Sequence, residues 1–242
     1  MYRLLLLVLL ALSSCAPAYL SSSRNTPLFG EAGEFAGAVA LASGVEAQLA
    51  GSITDHVALM ANAQFAYTQI TEPIEYSKDY SYFEGGLGFF GRSKALRWEV
   101  FGGYGMGQGN SYESYYFFQT GTQSVLAHGK FQKAFFQPAF GTNNKKFNLI
   151  FAPRFSFVHF TEFTTEDPIV STPLRTVQPT EGFHFVFEPS LITRFHLAGN
   201  LYGFFQLNLN SAVPNDPIFT YQALTAAVGI QLHTGQLRTR VY

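Results

Sequence analysis

Three groups of residues carry enough chemistry to be weighed first. Ser156, His159 and Glu162, with His184 further along, supply the side-chain types of a nucleophile, a base and a carboxylate. Their spacing argues against catalysis, because side chains alternate faces along an extended segment, and Ser156 and His159 then point to opposite sides. Gly103, Gly105, Gly107 and Gly109 form a glycine-rich run, but its strict period of two and the absence of a following helical pattern exclude a nucleotide loop. No grouping of His, Cys, Asp or Glu has metal-ligand spacing, so no metal site is expected. The third group is Glu46, Glu84, Glu99, Lys133, Arg154, Glu188 and Arg194. Each lies in the inward phase of its own segment, which Glu99 shares with Phe101 and Lys133 with Phe135. Seven charges set on one side of apolar strands predict a polar interior in which they pair with one another or line water.

The elements that must position these charges are extended. Phe147–Phe160 reads FNLIFAPRFSFVHF, with Phe147, Leu149, Phe151, Phe155 and Phe157 on one face and Asn148, Arg154 and Ser156 on the other. Gly182–His196 repeats the scheme, with Phe183, Phe185, Phe187, Leu191 and Phe195 opposite His184, Glu188, Ser190 and Arg194. A period of two over about 9–11 residues, apolar outside and charged inside, is the pattern of a tilted membrane-crossing strand. The same alternation gives ten strands: Glu34–Ser43, Val45–Ile53, Val57–Tyr67, Tyr80–Gly91, Arg97–Tyr112, Ala127–Thr142, the two above, Leu201–Ser211 and Phe219–His233. Short turns follow Ile53, Gly91, Thr142 and His196. Longer polar stretches, Thr68–Asp79, Glu113–Leu126, Thr161–Glu181 and Ala212–Ile218, are expected as loops. Interior glycines leave a wall without side chains against which Phe131, Phe135, Tyr202 and Phe204 can pack. Pro138, Pro153 and Pro189 fall mid-strand on three successive strands, where a missing ladder donor predicts a shared bulge, or else a lateral opening.

Composition agrees with this reading. Charged residues make up 13% and aromatics 17% of 242 residues, with 26 Phe. A soluble domain has about 25% charged residues, and a barrel that turns its apolar face to lipid explains the deficit. The net charge of −1 gives no electrostatic case for nucleic acid.

The N-terminus reads MYRLLLLVLLALSSC: Arg3, then the apolar run Leu4–Leu12, too short to span as a helix. It ends Leu12-Ser13-Ser14-Cys15, which resembles the lipobox of bacterial lipoproteins. That resemblance implies a diacylglycerol on the Cys15 thiol, removal of residues 1–14 and acylation (palmitate) of the new N-terminus. An ordinary secretory signal cut near Ala16 or Ala18 is the alternative. Cys15 is the only cysteine, so no disulfide is expected. Residues 15–33, rich in Ser, Pro and Ala, are expected to be a lipidated tether.

The pattern as a whole resembles the small outer-membrane β-barrel proteins of Gram-negative bacteria. The expectation is an all-β chain, a single up-and-down antiparallel transmembrane barrel over residues 34–242. An even strand number puts both termini on the short-turn, periplasmic side, with the lipid in the inner leaflet. No catalysis and no cofactor beyond the lipid on Cys15 are expected. The expected role is structural, binding or small-pore. Expected partners are outer-membrane lipid and a small solute or protein at the outer loops. The alternatives are a periplasmic lipid-anchored barrel with the Phe rows turned inward around an apolar ligand, and an outer-membrane lipid-modifying hydrolase.

Overall fold

A computed structural model of the chain describes residues 19–70, 76–117, 121–144, 146–166, 183–213 and 222–234. Residues 1–14, expected as a signal peptide, and Cys15 lie outside these residues, as does most of Thr161–Glu181, expected as a loop. The strands are β1 (Phe35–Leu41), β2 (Val45–Ser52), β3 (Val57–Ile70), β4 (Tyr76–Arg92), β5 (Leu96–Phe117) and β6 (Gly121–Thr142). They continue with β7 (Phe147–Phe151), β8 (Arg154–Glu166), β9 (His184–Glu188), β10 (Ser190–Ala198), β11 (Leu201–Leu209), β12 (Ser211–Val213) and β13 (Leu224–Thr234).

All pairings are antiparallel, and consecutive strands are neighbours. The ladder from Phe35↔Thr234 to Leu41↔Val228 joins β1 to β13 and closes the sheet. Three barrel strands are interrupted. Ala152-Pro153 separates β7 from β8, Pro189 separates β9 from β10, and Asn210 separates β11 from β12. Each pair forms one wall strand, so the thirteen segments make a closed barrel of ten strands.

The prolines lie side by side. β6 pairs with β7 through Phe140↔Phe151 and with β8 through Phe136↔Phe155, leaving Pro138 opposite the Pro153 break. The backbone bridges the gap with Ala152 N–H donating to Ser190 C=O at 2.9 Å and Leu209 N–H donating to Pro189 C=O at 2.9 Å. This is a crease across adjacent strands, closed by hydrogen bonds on its far side, and not a lateral opening. Outside it, Phe155 stacks on Phe187 with ring centroids 5.2 Å apart, and Phe157 contacts Phe185 at 5.4 Å.

Parts of all four stretches expected as loops are paired instead: Thr161–Glu166 continues β8 against β6, and Ala212–Val213 belongs to β12. β3 and β4 stay in register to Ile70↔Tyr76, and β5 and β6 to Phe117↔Gly121. Thr68–Asp79 is mostly polar, and Glu113–Leu126 carries aromatics in consecutive positions (Tyr115 to Phe118), so neither gives a clean period-two signal, but a backbone ladder needs none. The last strand runs Leu224–Thr234, and Phe219–Tyr221, expected at its start, lie outside the described residues.

The two faces separate cleanly. Phe83, Leu87, Phe89, Met106, Phe140, Phe157 and Leu191 are exposed on the outside. Arg154, Glu188, Lys133, Gln137 and Ser156 are fully buried inside. An exposed apolar belt around a sealed barrel requires lipid around it. The inverted arrangement, with Phe rows inward around an apolar ligand, is not the one this chain adopts. The connections 53–56, 93–95, 143–146 and 199–200 are short and share one rim with the start of β1 and the end of β13. The opposite rim carries the tall β3–β6 wall, the end of β8 and the start of β9.

Candidate functional site: the occupied lumen

Inward phase alone brings Glu46 (β2), Glu84 (β4), Glu99 (β5), Lys133 (β6), Arg154 (β8), Glu188 (β9) and Arg194 (β10) into the barrel. Each is nearly or fully buried. They do not form one continuous network. Glu84 is the centre of one cluster: Arg154 binds both its oxygens at 3.1 Å, and Lys133 Nζ stands 3.4 Å away. Tyr82 and Asn62 donate to the same carboxylate at 2.6 and 2.7 Å. Arg154 is held from the other side by Gln137 Oε1 at 2.6 and 2.8 Å and lies over the Phe135 ring. Lys133 lies 4.4 Å from the centre of the Tyr82 ring. A carboxylate this deep must have each lone pair answered, and here it does.

The remaining charges are answered by the chain's own N-terminal segment. Residues 19–29 run through the lumen and are buried along their whole length. The tether expected over 15–33 is therefore, from Tyr19 onward, an internal filling. Tyr19 donates to Glu188 at 2.8 Å, and Arg24 pairs with the same carboxylate at 3.6 Å. Ser156 Oγ donates to Glu188 at 2.7 Å. Ser23 N–H donates to Glu46 at 2.9 Å, and Leu28 N–H to Glu99 at 2.6 Å. Arg194 donates to the carbonyls of Thr26 and Pro27. Asn25 donates to Asn62 at 2.8 Å and to Leu49 C=O at 3.0 Å, while its own carbonyl accepts from Gln137 at 2.8 Å. A segment without secondary structure is tolerated at membrane depth because side chains of the wall supply its backbone partners.

Leu28 marks where the segment is pinned. Its φ of 54° is in the left-handed region, which a leucine rarely adopts. The conformation is held by Glu99 at its N–H and by Arg97, which donates to its carbonyl at 2.7 Å. The Leu28 and Phe29 side chains are fully buried, with the Phe29 ring 5.7 Å from Phe90.

Arg24 also completes the charge balance. Counted as ionised, the seven wall residues hold four carboxylates and three cations, a sum of −1, and Arg24 brings it to zero. Beside it, a cavity of about 10 Å³ lined by Arg24, Gln48, Arg194 and Gln231 has room for about one water. Sequence reasoning missed this segment. Its signal was present: one cation in a polar run, flanked by Tyr19-Leu20 and Leu28-Phe29.

The glycine wall receives the aromatics. A Cβ on Gly107 would meet the Phe131 ring at 2.7 Å, and one on Gly103 would collide with Phe135. Phe204 packs against Gly229. The hydrolase residues are not brought together. Ser156 faces Glu188 inside, while Glu162 pairs with Lys130 at 2.8 Å and the His159 ring lies against Phe183. Among the described residues no group of His, Cys, Asp or Glu is arranged to hold a metal.

No family model and no curated protein matches the chain. Solved structures do. A KdgM porin is 7% identical, covering 82% of this chain and 98% of its own, with a TM-score of 0.32. OmpT, an outer membrane protein of Vibrio cholerae, is 8% identical, covering 83% and 95%, with a TM-score of 0.25. At this distance they say nothing about function, and the fold rests on the closed ladder and the two faces. The chain is a closed, antiparallel, ten-stranded barrel of the outer-membrane type, with its lumen occupied by its own N-terminal segment.

Proposed function

We propose that this protein is an outer-membrane β-barrel lipoprotein, lipidated at Cys15, with a structural or binding role and a lumen that is shut in its resting state. The observation that carries this reading is the occupied lumen. Residues 19–29 are buried in it along their whole length, and the charge clusters around them are nearly or fully buried. A conducting pore needs a continuous water path, and here the segment stands in that path, held by Glu46, Glu99, Gln137, Glu188 and Arg194, while Glu46 Oε1, Glu99 Oε1 and the Gln64 amide have no partner among the described residues.

The test is conductance of the purified full chain in a planar bilayer. The expected result is a folded, heat-modifiable protein that gives no openings. The same barrel lacking residues 16–30 is expected to open, because removal exposes Glu46, Glu99, Glu188 and Arg194 to water. Steady conductance of the intact chain would overturn the proposal. A pore role remains as a second reading only through displacement of the segment, which the density of Gln, Asn and charged residues on the inner wall favours. Metabolic labelling with palmitate, lost in Cys15→Ser, tests the lipid. Binding then falls to the outer rim, where a small solute or protein would meet the loops.

A further inference from the structure

The direction in which the segment crosses the barrel decides where the N-terminus lies. Leu20 C=O accepts from Tyr80 Oη at 3.0 Å, near the outer end of β4. Ser22 and Ser23 meet Glu84, Arg154 and Glu46, and Asn25 meets Asn62 and Gln137. Thr26 and Pro27 meet Arg194 and His233. Gly30 reaches Arg92 and Arg97 at the short-turn rim and donates to Glu34 at 2.6 Å. Ala32 donates to Asp55 in the short turn after β2. From Leu20 these contacts descend from the long-loop half to the short-turn rim at Ala32, while the Tyr19 side chain reaches down beside them to Lys133 and to Glu188, the carboxylate that Arg24 also meets.

From Tyr80 to Arg92 is twelve steps of β4 (92 − 80), about 40 Å of strand. With a wall tilt of about 35–45°, that is about 30 Å along the barrel axis. Cys15 precedes Tyr19 by four residues (19 − 15), and four fully extended residues span at most about 14 Å. Cys15 therefore cannot reach back to the short-turn rim. The long-loop rim is close by: Lys78 donates to Ser43 C=O in the β1–β2 turn, and a Cβ on Gly44 in that turn would touch Ala66, which pairs with Tyr80.

We infer that the chain threads its N-terminus outward through its own barrel, so that everything before Tyr19 emerges on the long-loop, cell-surface face. The inference builds on the lipoprotein reading in one respect. A lipid on Cys15 is then held in the outer leaflet, not in the inner leaflet facing the periplasm. It does not require the lipid, because a signal cut near Ala16 or Ala18 leaves the new N-terminus on the same face. The barrel must close around the segment during assembly, since β1 and β13 seal the wall beside it.

The test uses the full chain with its own leader in a Gram-negative host. A short epitope is inserted between Ala18 and Tyr19, and Ala18→Cys is probed separately with a membrane-impermeant maleimide. Ser93→Cys, in the short turn after β4, is the periplasmic control, and a cysteine in the 167–182 loop is the surface control. Heat-modifiable mobility establishes folding for each variant. The expected result is antibody and maleimide access at residue 18 in intact cells, equal to the loop control, while Ser93→Cys reacts only after permeabilisation. Access at residue 18 only after permeabilisation, following Ser93→Cys, would overturn the inference. That outcome is independent of the bilayer measurement: a silent barrel with a periplasmic N-terminus keeps the shut lumen and loses the threading. Loss of palmitate with surface access retained removes the lipid alone.

Discussion

Replacing Glu84 by glutamine is the sharpest test of how the interior is held. The carboxylate is fully buried, answers Arg154 and Lys133, and accepts from Tyr82 and Asn62. Glutamine keeps the shape, and its amide oxygen can still accept from Tyr82 or Asn62. What it loses is the charge. Arg154 keeps Gln137 and Ser22, whereas Lys133 keeps the Tyr19 hydroxyl at 3.3 Å and the ring faces of Tyr19 and Tyr82. Leaving a buried cation without its partner costs about 3–5 kcal/mol. The retained hydrogen bonds put the expectation at about 3 kcal/mol, over a hundredfold in the unfolding equilibrium at about 1.4 kcal/mol per tenfold. Trp98 is the only tryptophan and is exposed on the lipid face, so its emission reports departure from the bilayer. The assay is urea unfolding of vesicle-inserted protein. Adding Lys133→Met to Glu84→Gln removes the orphaned cation and is expected to restore part of the loss. A Glu84→Gln midpoint equal to wild type, or a Lys133→Met cost that simply adds, would refute the reasoning and mean that water enters the cluster.

Further outcomes follow from the same geometry. Arg24→Met removes the cation that balances the interior and leaves Glu188 with Tyr19 and Ser156; brief openings are expected in the planar bilayer where the wild type is silent. Gly107→Val places a branched side chain against the Phe131 and Tyr82 rings and is expected to cost about 1–3 kcal/mol by overpacking, read by the same unfolding assay and partly relieved by Phe131→Ala. Leu87→Arg puts a charge in the lipid belt of β4 and is expected to cost about 2–4 kcal/mol near the bilayer midplane. Glu162→Gln, in an exposed pair with Lys130, is expected to leave the unfolding midpoint unchanged.

The sequence by itself determined the walls. Strict alternation assigns each residue of a strand to lipid or lumen, because side chains project to opposite faces at every step. Phe157 and Arg154, three residues apart on β8, were separable on that ground alone. The four short turns and the ten wall strands were legible for the same reason, as were the seven interior charges. The outer parts of β3–β6 were not, because Thr68–Asp79 and Glu113–Leu126 show no clean alternation of apolar and polar residues. Which charges meet was also out of reach. Glu84 and Arg154 lie seventy residues apart in the chain (154 − 84), and only barrel closure brings them within 3.1 Å. Above all, the filling of the lumen was a tertiary decision. Residues 19–29 have no period and read as a tether, since irregular backbone shows no preference for water over protein. Inside this barrel the wall offers Glu46, Glu99, Gln137 and Arg194 to that backbone, and its carbonyls and amides find partners there that sequence spacing cannot reveal.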